Sequence, residues 1–220
     1  MTMSGSTVDT HLPTRLLHTE HATLLPLLRK SPERRFTLRT ACPGWTVRDV
    51  LAHCAGALTR IVEDRYEEGF TPRANAADVA HRREWPLSRV LDELERGFLE
   101  AGPAIAKAGG ELDVIALGEW VHAGDVRDAF GVPGAYGGES VWDALAILAE
   151  ASRTRGTPRV YAELPQRNGP LVLGRVVEDR PPGRLRCGPE VLIRLYSGRP
   201  VVGTRYALSG AEESELVIYR

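Results

Sequence analysis

The chain has 220 residues, 43% hydrophobic and 26% charged, the balance of a globular protein that can build a core. A formal net charge of −1 excludes the basic footprint of a nucleic-acid binder or a polybasic membrane patch. Three cysteines, Cys42, Cys54 and Cys187, form an odd set with no short-spaced pair, which argues against a disulfide framework and a cysteine-based zinc site. Met1 to Asp9 is rich in Ser and Thr and has no apolar signal core, and no apolar run approaches membrane-spanning length. The expectation is a cytoplasmic protein with neither nucleic acid nor membrane as partner.

In chain order, the first element is a helix over about Leu12 to Arg29, with Leu16, Leu17, Leu24, Leu25, Leu27 and Leu28 as its apolar face. A connection ends in Cys42-Pro43-Gly44, and Thr46 is then an N-cap for a helix from Val47 to Glu63. Val47, Val50, Leu51, Cys54, Leu58 and Ile61 recur on one face of that helix. From Glu67 to Glu84 the chain is polar and irregular, and is expected to be a long loop. A third helix starts near Pro86; Gly102-Pro103 is expected to bend or end it, and Gly109-Gly110 breaks the chain. A fourth runs from Val114 to Phe130, closed by Gly131 and Pro133, and a fifth from Ser140 to about Arg153. After Gly156 the pattern changes. Val160 to Leu164 and Leu171 to Leu173 read as strands, Pro189 to Ser197 as a short helix, and Tyr206 to Leu208 and Leu216 to Tyr219 as further strands. The predicted class is α+β: a helical bundle over residues 1–155 and a small α+β domain over 156–220.

The fourth helix carries the chemistry. Projected at about 100° per residue, Ile115, Glu119, His122, Val126 and Phe130 share one arc, while Leu117, Trp120 and Val121 lie opposite. A helix apolar nearly all round is buried. A buried carboxylate without a partner costs several kcal/mol or is forced neutral, so Glu119 needs a partner. His122, three residues on, shares its face, and a divalent metal would satisfy both. A metal-free Glu–His hydrogen-bonded pair fits the same pattern. Asp125 either orients the His122 imidazole or is an ordinary polar residue at the edge of the face. His53 lies off the apolar arc of its helix with Asp49, Gly56 and Ala57 beside it, small neighbours that leave room for a cavity. From pattern alone a solvated surface histidine is the simpler reading of His53. His18 and His21 read as a polar flank and His81 as solvated.

These residues resemble a known family. Trp45-Thr46-Val47-Arg48-Asp49-Val50-Leu51-Ala52-His53, preceded by Cys42-Pro43-Gly44, is similar to the N-terminal motif of the mycothiol-dependent maleylpyruvate isomerase family. So is Gly118 to Arg127 followed by Ala129-Phe130-Gly131, and Gly188 to Arg199 looks like the family's small C-terminal domain. The resemblance implies a DinB-like four-helix bundle with an α+β domain, and a divalent metal, commonly zinc, held by His53, Glu119 and His122. It departs at one point. The family's Glu stands four residues before its second His, and here the interval is three, with Gly118 at the fourth position.

What the resemblance implies in function is a metal-dependent thiol transferase or isomerase. Mycothiol would be cosubstrate, and its metal-bound thiolate would attack a small electrophile. Asp49 and Asp125 would support the ligands from behind. Arg48, Arg127 and Arg199 would bind carboxylates of the thiol or substrate, against the general tendency of Arg to be an ordinary surface residue. A metal hydrolase with the same ligands, and a non-catalytic binding protein of the same family, are the competing readings.

Overall fold

The computed structural model describes residues 11–65 and 69–219. Met1 to Asp9 and Glu67 lie outside that range. Eight helices and four strands follow, in the predicted class, a helical bundle and then a small α+β part. Helix α1 (Leu12–Lys30), α2 (Val47–Val62), α4 (Leu87–Lys107) and α5 (Asp113–Ala129) make the bundle. The α2 start is well determined. Thr46 is its N-cap, the Asp49 amide donates to Thr46 Oγ1 at 3.2 Å, and the Thr46 amide donates to Asp49 Oδ2 at 2.9 Å.

Two expectations about the bundle are corrected. The stretch read as a long loop contains helix α3 (Pro72–Arg82), capped by Thr71 with Pro72 in its first turn. Its buried residues are Asp78, Val79 and Arg82, so its inward face is largely ionic and hydrophobic periodicity cannot register it. Gly102-Pro103 does not end α4, which continues to Lys107. Pro103 sits on the exposed side, where water can serve the carbonyl that loses its donor. Gly102 faces α1, and a Cβ there would lie 2.7 Å from Thr14 Cα, so it serves a close helix crossing.

Helix α6 (Val141–Thr154) leads into a sheet of β1 (Val160–Glu163), β2 (Leu171–Leu173), β3 (Gly183–Cys187) and β4 (Tyr206–Ser209), in the order β2-β1-β3-β4. β1 pairs antiparallel with β2 and parallel with β3, and β3 pairs antiparallel with β4. Sequence reasoning missed β3, although Leu185 and Cys187 are buried while Arg184 and Arg186 are exposed in strict alternation. Helix α7 (Pro189–Ser197) ends at Gly198, whose φ of 68° suits a residue without Cβ. The predicted last strand is instead α8 (Glu213–Leu216) and an extended tail. Leu216 and Ile218 are both buried, so the period of two was real, but that segment has no partner strand.

Buried apolar residues fall into two clusters. One lies among α1, α2, α4 and α5; the other joins α5 and α6 to the sheet and α7. Helix α5 serves both. Ala116, Ala123 and Val126 enter the first, and Leu117, Trp120 and Val121 the second, which is why its sequence is apolar nearly all round. Among the described residues, no helix is long and apolar enough to cross a membrane.

Candidate active site

Between the bundle and the C-terminal part lies a cavity of about 320 Å³. Trp45 and His53 reach it from the start of α2, Glu119 and His122 from α5, and Arg199 and Tyr219 from the C-terminal part. The two histidines face each other edge to face, ring centres 5.3 Å apart. The Trp45 ring lies 5.1 Å from that of His53 and 6.3 Å from that of His122.

Each imidazole is held from behind by a carboxylate. His122 Nδ1 donates to Asp125 Oδ2 at 3.0 Å, and His53 Nδ1 donates to Asp78 Oδ2 at 3.4 Å. This fixes both rings with Nε2 as the remaining lone pair. Asp125 is wholly buried, accepts from the Tyr136 hydroxyl at 2.6 Å, and is bridged by Arg199 Nε and Nη2 at 2.8 and 2.7 Å. Burial alone would raise its pKa, but the bonds from His122 and Arg199 outweigh it and bring it down to about 2. Gly124 makes room for this: a Cβ there would sit 2.4 Å from the Tyr136 ring.

Asp78 belongs to α3 and lies outside every predicted site. It pairs with Arg60, and Arg82 lies 3.9 Å away while binding Glu93 at 2.6 Å. Gly56 permits the approach, because a Cβ there would stand 2.6 Å from Asp78 Oδ1. Burial, the largest influence on His53, lowers its pKa to about 4 against the opposing bond to Asp78, so the ring is neutral at physiological pH.

Glu119 is 3% exposed, and its Oε2 is buried with no hydrogen-bond partner. Burial pushes its pKa up to about 8, offset in part by a hydrogen bond with the Cys54 thiol. The partner that the sequence argument requires is thus supplied only in part, by Cys54, and Oε2 remains unpaired.

The chemistry of these donors fits a divalent ion. Zn–N bonds of about 2 Å, plus roughly 1 Å from ring atom to ring centre, suit imidazole centres 5.3 Å apart. The orphaned Glu119 Oε2 lines the same cavity and would be the third donor of a two-histidine, one-carboxylate set. Among the described residues, however, no three His, Cys, Asp or Glu side chains are gathered so as to hold an ion as placed.

The remaining predicted residues divide. Arg199 lines the cavity, but its guanidinium is committed to Asp125. Arg48 donates to the backbone carbonyls of Arg83 and Trp85, and Arg127 pairs with buried Glu20; neither lines the cavity. Asp49 caps α2 and does not support a histidine. His21 bonds Glu95 at 3.3 Å, and His18 and His81 are exposed. Besides Asp78, sequence reasoning missed Asn75, Arg155 and Tyr219. Only the Thr71-Pro72 helix start could have signalled the first.

The fold and the site together define a helical-bundle protein with a carboxylate-backed histidine pair in a cavity closed over by a small α+β unit. The sequence profile described as "Mycothiol maleylpyruvate isomerase N-terminal domain" matches residues 17–136, more than half of the chain, and the chain belongs to that family. Two similar solved structures are a crystal structure of the mycothiol-dependent maleylpyruvate isomerase and one of a histidine-to-alanine mutant of it. They are 14% and 13% identical, with TM-scores of 0.54 and 0.55; each alignment covers 91% of this chain and 93% of the other, so the fold is shared end to end. No curated protein matches the sequence.

Proposed function

We propose that this chain is a mycothiol-dependent isomerase or S-transferase acting on a small electrophilic substrate. A divalent metal, with Zn²⁺ the expected one, would be held by His53, His122 and Glu119. The observation that carries this reading is the facing histidine pair, each Nδ1 bound to a carboxylate and each Nε2 left to the cavity. When bound, such an ion lowers the pKa of a thiol that meets it. The chain's own residues supply the rest. Asp78 and Asp125 hold the imidazoles in one tautomer and orientation. Trp45 packs against both rings and limits their rotation. The apolar walls, Val114, Ile115, Val121 and Ile218, exclude water from a thiolate and its acceptor. Three free cysteines suit a reducing compartment, and we place the protein in the cytoplasm.

The test is metal analysis of the purified protein beside His53→Ala and His122→Ala, with mycothiol-dependent turnover of maleylpyruvate as the first activity assay. About one divalent ion per chain in the wild type, lost in both variants together with thiol-dependent activity, is expected. A wild type without metal, whose affinity for added Zn²⁺ neither variant changes, overturns the metal site.

A further inference from the structure

One cavity side chain has no function in the fold. Asn75 stands on α3, and its Oδ1 is buried without a hydrogen-bond partner. No other bond to its carboxamide exists among the described residues, although buried polar groups are as a rule paired. Among the other polar groups of the wall, Glu119 also keeps one unpaired oxygen, the one assigned above to the metal, while three are engaged. The Tyr219 hydroxyl donates to the Val114 carbonyl at 3.1 Å, Arg199 is held by Asp125, and His53 by Asp78. Arg155, just past the end of α6, lines the cavity with a guanidinium that makes no hydrogen bond or ion pair among the described residues. Asn75 is the one carboxamide in the lining, and its neighbours there, Phe70 and Pro72, are apolar.

The wall is thus chemically divided. Its Arg155 end suits a carboxylate, whereas the α3 end offers one neutral group with an acceptor and two donors. Such a group pairs best with an amide or a hydroxyl. Mycothiol is a thiol of that kind, since it carries a cysteinyl amide and sugar hydroxyls.

We propose that Asn75 is a specificity-determining residue for the thiol cosubstrate, its carboxamide hydrogen-bonding the amide or hydroxyl groups next to the thiol-bearing carbons. This rests on the thiol-dependent reading above. Asn75 selects thiols that carry those groups over bare alkyl thiols, because the latter leave a buried carboxamide unpaired.

The test is calorimetric binding of mycothiol and of ethanethiol, which has neither amide nor hydroxyl, to zinc-loaded wild type, Asn75→Ala and Arg155→Ala, with melting temperatures as a check on folding. Asn75→Ala should raise the mycothiol Kd about tenfold, leave ethanethiol binding unchanged and melt as wild type does. Arg155→Ala should leave mycothiol binding unchanged. If wild type binds no mycothiol, the thiol-dependent function itself fails. If wild type binds and Asn75→Ala binds equally well, or if the variant weakens both thiols alike, only the role of Asn75 is overturned.

Discussion

The two histidines are supported by different kinds of structure. Behind His122 the network is closed. Asp125 takes hydrogen bonds from His122, Tyr136 and both arms of Arg199, joining the bundle to the C-terminal part through one carboxylate. Behind His53 the network is open. Asp78 holds the ring at the longer distance of 3.4 Å, Arg60 keeps buried Nε and Nη2 atoms without partners, and Glu119 nearby keeps a free Oε2. A fully satisfied network rigidifies, and a partly satisfied one retains interaction energy for something else to collect. The fixed half therefore sets the geometry, and the open half has groups left to meet a ligand.

Breaking the closed side should have the largest effect. Asp125→Ala leaves Arg199 and Tyr136 buried without their acceptor, which should cost about 3–5 kcal/mol in urea unfolding. It should also separate the C-terminal part from the bundle in hydrogen exchange, whereas loss of Asp78 should be felt mainly within α2 and α3.

Glu119 sharpens the comparison through pH. Its folded pKa of about 8 lies above the usual 4.5, so its stabilising contribution is complete below 4.5 and lost as pH rises through 8. His53, at about 4 against 6.5, contributes above 6.5 and loses that contribution as pH falls through 4. The two slopes oppose each other between 4.5 and 6.5, and above 6.5 only that of Glu119 remains. Metal-stripped protein should therefore lose stability between pH 6.5 and 8. Glu119→Gln should remove that loss, on the order of 2 kcal/mol between pH 6.5 and 8. Added Zn²⁺ should remove it in the wild type by taking the ionised carboxylate. Melting curves across this range check the sign, and a flat wild-type profile without metal contradicts it.

Gly56→Ala disturbs the open side with a single methyl. Its Cβ would meet Asp78 Oδ1 at 2.6 Å, so α3 must shift, at about 1–3 kcal/mol. The signature is a displaced His53 imidazole resonance with the His122 resonance unmoved. The smallest effect belongs to Arg48→Ala, which removes bonds to two backbone carbonyls outside the cavity. It should cost about 1 kcal/mol or less and leave Zn²⁺ and thiol affinities as they were. A large loss of thiol affinity would return Arg48 to the binding site.

The sequence by itself determined the bundle helices, their apolar faces, the cap at Thr46 and the burial of Glu119 on one helix face with His122. Those follow from period and propensity, which act along the chain. It also marked His53, through the motif around Trp45, and gave the α+β class of the C-terminal part. Tertiary structure decided the rest. Helix α3 escaped because its inward face is Asp78 and Arg82, charges that become core residues only when Arg60 and Glu93 arrive from other helices. The tail at Leu216 to Tyr219 has strand periodicity, yet strands need partners and none is in reach. Among Arg48, Arg127 and Arg199, the same side chain became a backbone brace, the partner of a buried glutamate and the anchor of the aspartate behind His122. An arginine's role depends on which acceptor the fold brings to it, and residue type and spacing do not encode that.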